Sequence, residues 1–285
     1  MNQTSFLARE VVNNRHHPVV QQVRALHTRP ERERTRLFLC EGVRFVAHAL
    51  QGGFEMERLV YAPDLLAHKF GRNFIRQQEA RGVPCLPVTS EVFQFLAQGD
   101  ETQGVLGVFK QRWTSLADTD PTEGLCWVAL DTVRSSGNLG TMLRTGEAVG
   151  VAGFILLSEA IDPYDPTCVR ASMAALLSTR IARAKPAQFL RWKKRHGCLL
   201  VGTSPAATRS YDALPYPTPT VLLMGGERKG LSDIQQERCD AMVKLPMRGK
   251  SDSLNLSIAT GIMLYEVLRQ RNGGALTPQP AAPDG

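Results

Sequence analysis

Three turns in the second half of the chain gather side chains whose types suit chemistry better than packing. The first, over 131–145, places Asn138 six positions before Arg144. The second reads Met224-Gly225-Gly226-Glu227-Arg228-Lys229-Gly230-Leu231-Ser232. The third, over 245–257, carries Ser253 and Asn255 at the mouth of an otherwise apolar segment. A guanidinium can clamp a phosphate through paired hydrogen bonds or steady a developing oxyanion. A carboxylate can hold that guanidinium or take a proton, and amides can orient either. Each turn also has a plain reading. Asn138 suits a helix N-cap with a solvated Arg144, and the glycine loop suits an ordinary turn. N-capping explains one of Ser253 and Asn255 but not both.

Several chemistries are excluded by spacing. Gly225 and Gly230 have the separation of a nucleotide-triphosphate loop, but Leu231 stands where the lysine is required and Glu227 would put a carboxylate among the phosphates. No Gly-x-Gly-x-x-Gly follows the first strand of this half, which argues against a dinucleotide site. The nearest pair among the six cysteines, Cys168 and Cys198, is 30 positions apart, so no zinc spacing is present and no metal is expected.

The elements that must position these turns are legible as short apolar runs at 126–130, 153–157, 198–202, 221–224 and 241–245. Nearly continuous apolar strands imply a parallel sheet covered on both faces, and ligands of such sheets bind where the strands end. Leu139, Met142, Leu143 and Val149 repeat at helical spacing before Gly150, a natural stop. Asp165-Pro166 predicts an N-cap with proline in the first turn. A last helix is expected over 254–271, closing with Arg269 and Arg271. In the first half, runs at 37–39, 59–61, 85–88 and 105–109 alternate with helical stretches at 42–50 and 65–81, which predicts a small α/β unit. The expected division is therefore 1–113, a turn-rich linker at 114–124, a second domain at 125–272, and a Gly/Pro/Ala-rich disordered tail at 273–285.

Composition bounds the partners. The 285 residues are 43% hydrophobic and 21% charged, enough to bury a core and too varied for a fibre. Lys and Arg number 34 against 27 Asp and Glu, a net charge of +7. That balance suits an acidic partner such as RNA and equally suits simple solubility. No apolar run is long enough to span a membrane and no signal peptide opens the chain. Cysteines without disulfide spacing fit a reducing cytoplasm.

The three turns become more specific when taken together. Asn138-Leu139-Gly140 with Arg144-Thr145, Leu223-Met224-Gly225-Gly226-Glu227 with Gly230-Leu231-Ser232, and Leu245-Pro246-Met247 with Gly249 and Ser253-Leu254-Asn255-Leu256-Ser257 follow successive strands in that order. They resemble the three motifs of the SpoU/TrmH branch of the SPOUT RNA methyltransferases, over 125–271. Phe38-Leu39-Cys40-Glu41-Gly42-Val43-Arg44 resembles the start of that family's ribosomal-protein-like RNA-binding domain. One departure stands out: the family has Asp-Pro two and three residues before the motif-one Asn, where this chain has Ser135-Ser136.

The resemblance implies an α/β protein with a small N-terminal α/β RNA-binding domain and a C-terminal parallel-sheet SPOUT domain closed by a trefoil knot. It implies S-adenosylmethionine as cofactor, methyl transfer to a ribose 2′-oxygen of RNA, and homodimers through the C-terminal domain. The appended first domain points to ribosomal RNA. Asn138, Arg144, Glu227, Ser253 and Asn255 fall at the catalytic positions. Thr203, Gly225, Leu245, Leu254 and Asn255 fall around the cofactor, with Leu245 and Leu254 offering apolar contact for adenine. The arginines Arg9, Arg15, Arg32, Arg34, Arg36 and Arg44 are expected to meet RNA phosphates.

A sulfonium donor carries its own electrophile, so neither a metal nor a covalent nucleophile is needed. Removing the hydroxyl proton is harder, because His196 lies outside all three turns. Arg144 could act as base with help from a substrate phosphate, although free Arg has a pKa of about 12.5–13.8. A charged Arg144 clamping phosphate and steadying the alkoxide serves equally, and Glu227 could hold Arg144 or accept the proton. A tRNA substrate, a ribosomal site conferring antibiotic resistance, and a silent RNA-binding or ribosome-assembly protein are the competing readings. Retention of Asn138, Arg144, Glu227 and Asn255 argues against silence.

Overall fold

Apolar runs alternating with amphipathic helices build two α/β units in the computed structural model, which describes residues 10–66, 69–98 and 102–273. The first unit runs to Arg112 and includes Asp162–Ser178. Its helices α1 (Pro18–Ala25) and α2 (Arg29–Thr35) precede β1 (Leu37–Glu41), α3 (Val43–Gln51), β2 (Met56–Tyr61), α4 (Lys69–Ala80), β3 (Cys85–Pro87), α5 (Ser90–Leu96) and β4 (Val105–Lys110). Proline in the first turn, where no N–H is needed, starts both α1 and α2. The sheet order is β1-β4-β2-β3, with β4 antiparallel to both neighbours and β3 parallel to β2. Val20, Val60, Phe93, Leu96 and Leu106 pack together beneath it.

The second unit comprises Trp113–Ile161 and the chain from Thr179 onward. It begins with β5 (Trp127–Leu130), α6 (Ser136–Ala148) and β6 (Gly153–Leu156). The chain then leaves for the first unit as α7 (Pro166–Ala171) and α8 (Ala175–Ser178). As the sequence predicts, Asp165 caps α7, its side chain accepting from the Thr167 N–H, with Pro166 in the first turn. Arg32 secures this excursion. Its Nε donates to Asp162 at 2.9 Å, its Nη2 lies 3.2 Å from Asp165, and its Nη1 donates to the carbonyls of Leu26 and His27, each at 2.9 Å.

The second unit resumes with β7 (Ile181–Arg183), α9 (Pro186–Arg195), β8 (Leu199–Thr203), β9 (Arg209–Ser210), β10 (Thr220–Met224), α10 (Asp233–Arg238), β11 (Ala241–Lys244) and α11 (Leu256–Arg271). The strand order is β7-β6-β5-β10-β8-β11-β9, and every pairing is parallel. The four residues of β5 and the five of β10 are all buried, which is why both read as unbroken apolar runs. The core is aromatic around Trp127 and Trp192, whose rings meet edge to face at 6.0 Å. The sequence runs locate β5, β6, β8, β10 and β11 but not β7 and β9, which are three and two residues long. Residues 114–124 pack with the second unit, and the Thr114 N–H donates to the Ile181 carbonyl. Most of the expected tail, 274–285, lies outside the described residues. No described helix is long and apolar enough to cross a membrane.

Candidate active site

The three turns leave the carboxyl ends of β5, β10 and β11, so the parallel sheet delivers them to one edge. β5 and β10 are direct neighbours, and their turns meet through Glu227. Its carboxylate accepts from the Arg134 N–H at 3.2 Å, the Ser135 N–H at 3.2 Å and Asn138 Nδ2 at 2.8 Å. Asn138 Oδ1 in turn accepts from Asn255 Nδ2 at 3.1 Å. Asn255 is the N-cap of α11, its Oδ1 accepting from the Ser257 N–H at 2.8 Å. One hydrogen-bonded chain, Glu227–Asn138–Asn255, therefore ties all three turns together. Each amide uses both its donor and its acceptor, which fixes its orientation.

The residues flanking motif one explain how Asn138 is spared for this work. The cap of α6 is Ser135, whose Oγ accepts from the Asn138 N–H at 3.2 Å. The plain reading of Asn138 as the helix cap thus does not hold: it lies in the first turn with its side chain free for Glu227. Ser135, at the position where this chain departs from Asp-Pro, supplies both a cap and a main-chain donor to Glu227. The glycine loop also has a local cause. A Cβ on Gly225 would stand 2.3 Å from the Gly230 carbonyl carbon and 2.4 Å from the Leu231 nitrogen. The loop closes on itself there, Gly226 and Gly230 exchanging hydrogen bonds of 3.1 and 2.9 Å. Gly225 is required by its own backbone, not by a ligand's approach.

Beside this chain opens a cavity of about 380 Å³ lined among others by Thr203, Gly225, Glu227, Leu245, Ser253 and Leu254. Leucine walls and the main-chain groups of a glycine turn suit a nucleoside, and the charged Glu227, Arg228, Lys229 and Asp252 in the lining suit an amino-acid tail, so the donor set fits S-adenosylmethionine. Four of the five positions expected around the cofactor line the cavity. Asn255 stands at its edge, engaged with Asn138 and Ser257.

Arg144 does not join the cluster. It is exposed and makes no hydrogen bond or ion pair among the described residues. Six residues of helix carry it about 9 Å along α6 from Asn138 and about 240° around it. Glu227 therefore does not hold Arg144 in this chain; its oxygens are taken by motif one. Arg134, Arg228, Lys229, Arg248 and Lys250 are likewise exposed with unpaired side chains among the described residues, and Arg228 and Lys229 line the cavity. Sequence reasoning passed over these five because they occupy non-motif positions; their signal was basic residues inside chemistry-bearing turns.

The arginines of the first unit fall into distinct environments. Arg32 is buried, 1% exposed, and spent on Asp162, Asp165 and two carbonyls, so it has no donor left for RNA. Arg34 pairs with Glu31 at 2.5 Å and Arg15 lies over the Phe95 ring at 5.5 Å. Arg36 and Arg44 are exposed and unpaired among the described residues. Arg9 lies outside the described residues. Burial pushes the Cys40 and Cys126 thiols up to about 12 and those of Cys198 and Cys239 up to about 11, which suits packing and not nucleophilic work.

Comparison with known proteins settles the family. Residues 126–265 match the SpoU rRNA methylase family, and 17–107 match an MRM3-like substrate-binding domain. A 23S rRNA uridine 2′-O-methyltransferase of Streptomyces viridochromogenes is 30% identical over 262 residues, 90% of each chain. The chain belongs to the SpoU rRNA methylase family. An S-adenosylmethionine-bound rRNA methyltransferase from Sinorhizobium meliloti superposes with a TM-score of 0.85 at 38% identity, covering 92% of this chain and 98% of that one. The SpoU methyltransferase AviRb of S. viridochromogenes, also solved with the cofactor, gives 0.84 at 30% identity, covering 91% of this chain and all of its own.

Proposed function

We propose that this protein transfers the methyl group of S-adenosylmethionine to a ribose 2′-oxygen of ribosomal RNA. The observation that carries this is the Glu227–Asn138–Asn255 chain, which joins all three family motifs at the rim of a cavity that fits the cofactor. When bound, the cofactor supplies the electrophilic methyl. Thr203, Gly225, Leu245 and Leu254, which line the cavity, would hold it, the two leucines offering apolar contact for the adenine. Glu227 acts as a positioning carboxylate, fixing Asn138, and Asn138 and Asn255 orient the ribose beside Ser253. Arg144, exposed and unpaired among the described residues, clamps the adjoining phosphate and steadies the oxygen as its proton passes to solvent water. Arg134, Arg228, Lys229, Arg248 and Lys250 draw the phosphate chain toward the cavity.

The first unit holds the RNA, with Arg36 and Arg44, exposed and unpaired among the described residues, meeting its phosphates. The protein works as a homodimer. Ile258 and Tyr265, exposed by 52% and 46% on one side of α11, are apolar surface that a second copy would cover. The trefoil knot fits the same order of elements, since β11 inserts between β8 and β9 before α11 packs on α6. Mapping 2′-O-methyl positions in ribosomal RNA with and without the gene tests the assignment. Loss of one modified ribose is expected, and an unchanged map refutes it.

A further inference from the structure

The first unit contains a cavity of its own, of about 160 Å³, formed by β1, the start of α3, the end of α5, and α7. Its walls are largely apolar, with Leu39, Phe45, Leu96 and Leu106 among them. Glu41 supplies its one carboxylate. That group is half-buried, and the Gln98 N–H donates to Oε2 at 3.2 Å. Arg170, exposed at the cavity wall, does not come within ion-pair distance. A carboxylate can accept about four hydrogen bonds, so most of this one's capacity is unspent among the described residues. Its pKa is raised by burial, as expected for a carboxylate short of donors. Glu227, by contrast, has three donors.

A flat ligand with an apolar face and adjacent N–H donors would complete this site. We infer that the cavity seats an unpaired guanine of the RNA, its N1–H and 2-amino group donating to Glu41 and its ring lying against Phe45. Guanine is chosen because it offers two adjacent donors. Adenine and cytosine offer an amino group beside an acceptor nitrogen, and uracil flanks its one N–H with two carbonyl oxygens that a carboxylate repels. Arg170 then meets the neighbouring phosphate. The inference rests on the reading that the first unit holds RNA.

Uridine heptamers carrying one central guanine, inosine, adenine, cytosine or uracil test it by fluorescence anisotropy with the full-length protein. The guanine oligomer should bind about fivefold or more tighter than the all-uridine one. Inosine, which lacks the 2-amino group, should fall between them. Glu41→Gln should erase the guanine preference and leave all-uridine affinity unchanged, with an unaltered melting temperature confirming the fold. Arg170→Ala should weaken all five oligomers alike. Equal affinities with measurable binding overturn the guanine pocket alone. No binding to any oligomer overturns it together with the RNA-holding role of the unit. The inosine comparison needs no variant, so misfolding of Glu41→Gln leaves the test intact.

Discussion

By residue type alone, the arginine-rich opening of the first unit and the three turns of the second unit are equally suited to RNA, yet they use their charges differently. In the first, Arg32 is consumed inside the fold and Arg34 by Glu31. In the second, Arg144 and five further cations stand unpaired among the described residues, and two of them, Arg228 and Lys229, line the cavity. Availability thus depends on which carboxylates folding brings near. The excursion at 162–178 carries Asp162 and Asp165 to Arg32 from more than a hundred residues away, and no comparable carboxylate reaches Arg144 among the described residues.

Removing one arginine from each region should break that comparison most visibly. Arg32→Ala strands two carboxylates and should cost about 3–5 kcal/mol of stability. Urea denaturation reads this directly; a stable variant with weakened RNA binding would return Arg32 to the RNA surface. Arg144→Ala should do the reverse. Methyl transfer should fall about 100-fold or more, with cofactor affinity by calorimetry and melting temperature unchanged. Full activity would remove Arg144 from the reaction. Asn138→Ala, which cuts the chain between Glu227 and Asn255, should lower kcat about 10-fold or more while leaving the KM for cofactor near its original value, because Asn138 does not itself line the cavity and Glu227 keeps its two main-chain donors.

Smaller effects sharpen the contrast between free and paired charges. Arg44→Ala should reduce the log–log salt slope of RNA binding by about 0.7–0.9, whereas Arg34→Ala should change it less because Glu31 already neutralises that guanidinium. Equal slopes would mean the pairing is irrelevant to binding. The weakest effect concerns Glu266, nearly buried on α11, which accepts from Arg269 Nε at 2.9 Å and Nη2 at 2.7 Å and from Gln270 at 2.7 Å. The Arg269 hydrogen bonds hold its carboxyl below the usual carboxylate range. Its contribution is therefore complete above the unfolded value and is lost as pH falls through the lower folded one. Glu266→Gln should flatten the acid limb of the stability curve between those two pKa values; an unaltered limb would show the pair to be inert.

Local chemistry made much of the fold readable. Buried strands such as β5 and β10 show as apolar runs because both faces are covered, and Asp165-Pro166 announces α7 because a cap and a first-turn proline act within one turn. The motif residues were legible for the same reason, being clustered in three short stretches. β7 and β9 were too short to leave a pattern, and Gly225 gave no sign that its partner is the loop's own backbone. Ser135 as the α6 cap was hidden by the nearby Asn138, an equally good capping type.

By itself the sequence determined element types, strand ends, the three turns and their residue set, because these depend on neighbours within a few positions. Only the tertiary structure decided that Glu227 holds Asn138, that Arg32 is buried, and that Asp162–Ser178 packs with the first unit. Those outcomes depend on hydrogen bonds and ion pairs between residues about ninety or more positions apart, and the free energy of such pairs is set by packing geometry that no local pattern encodes.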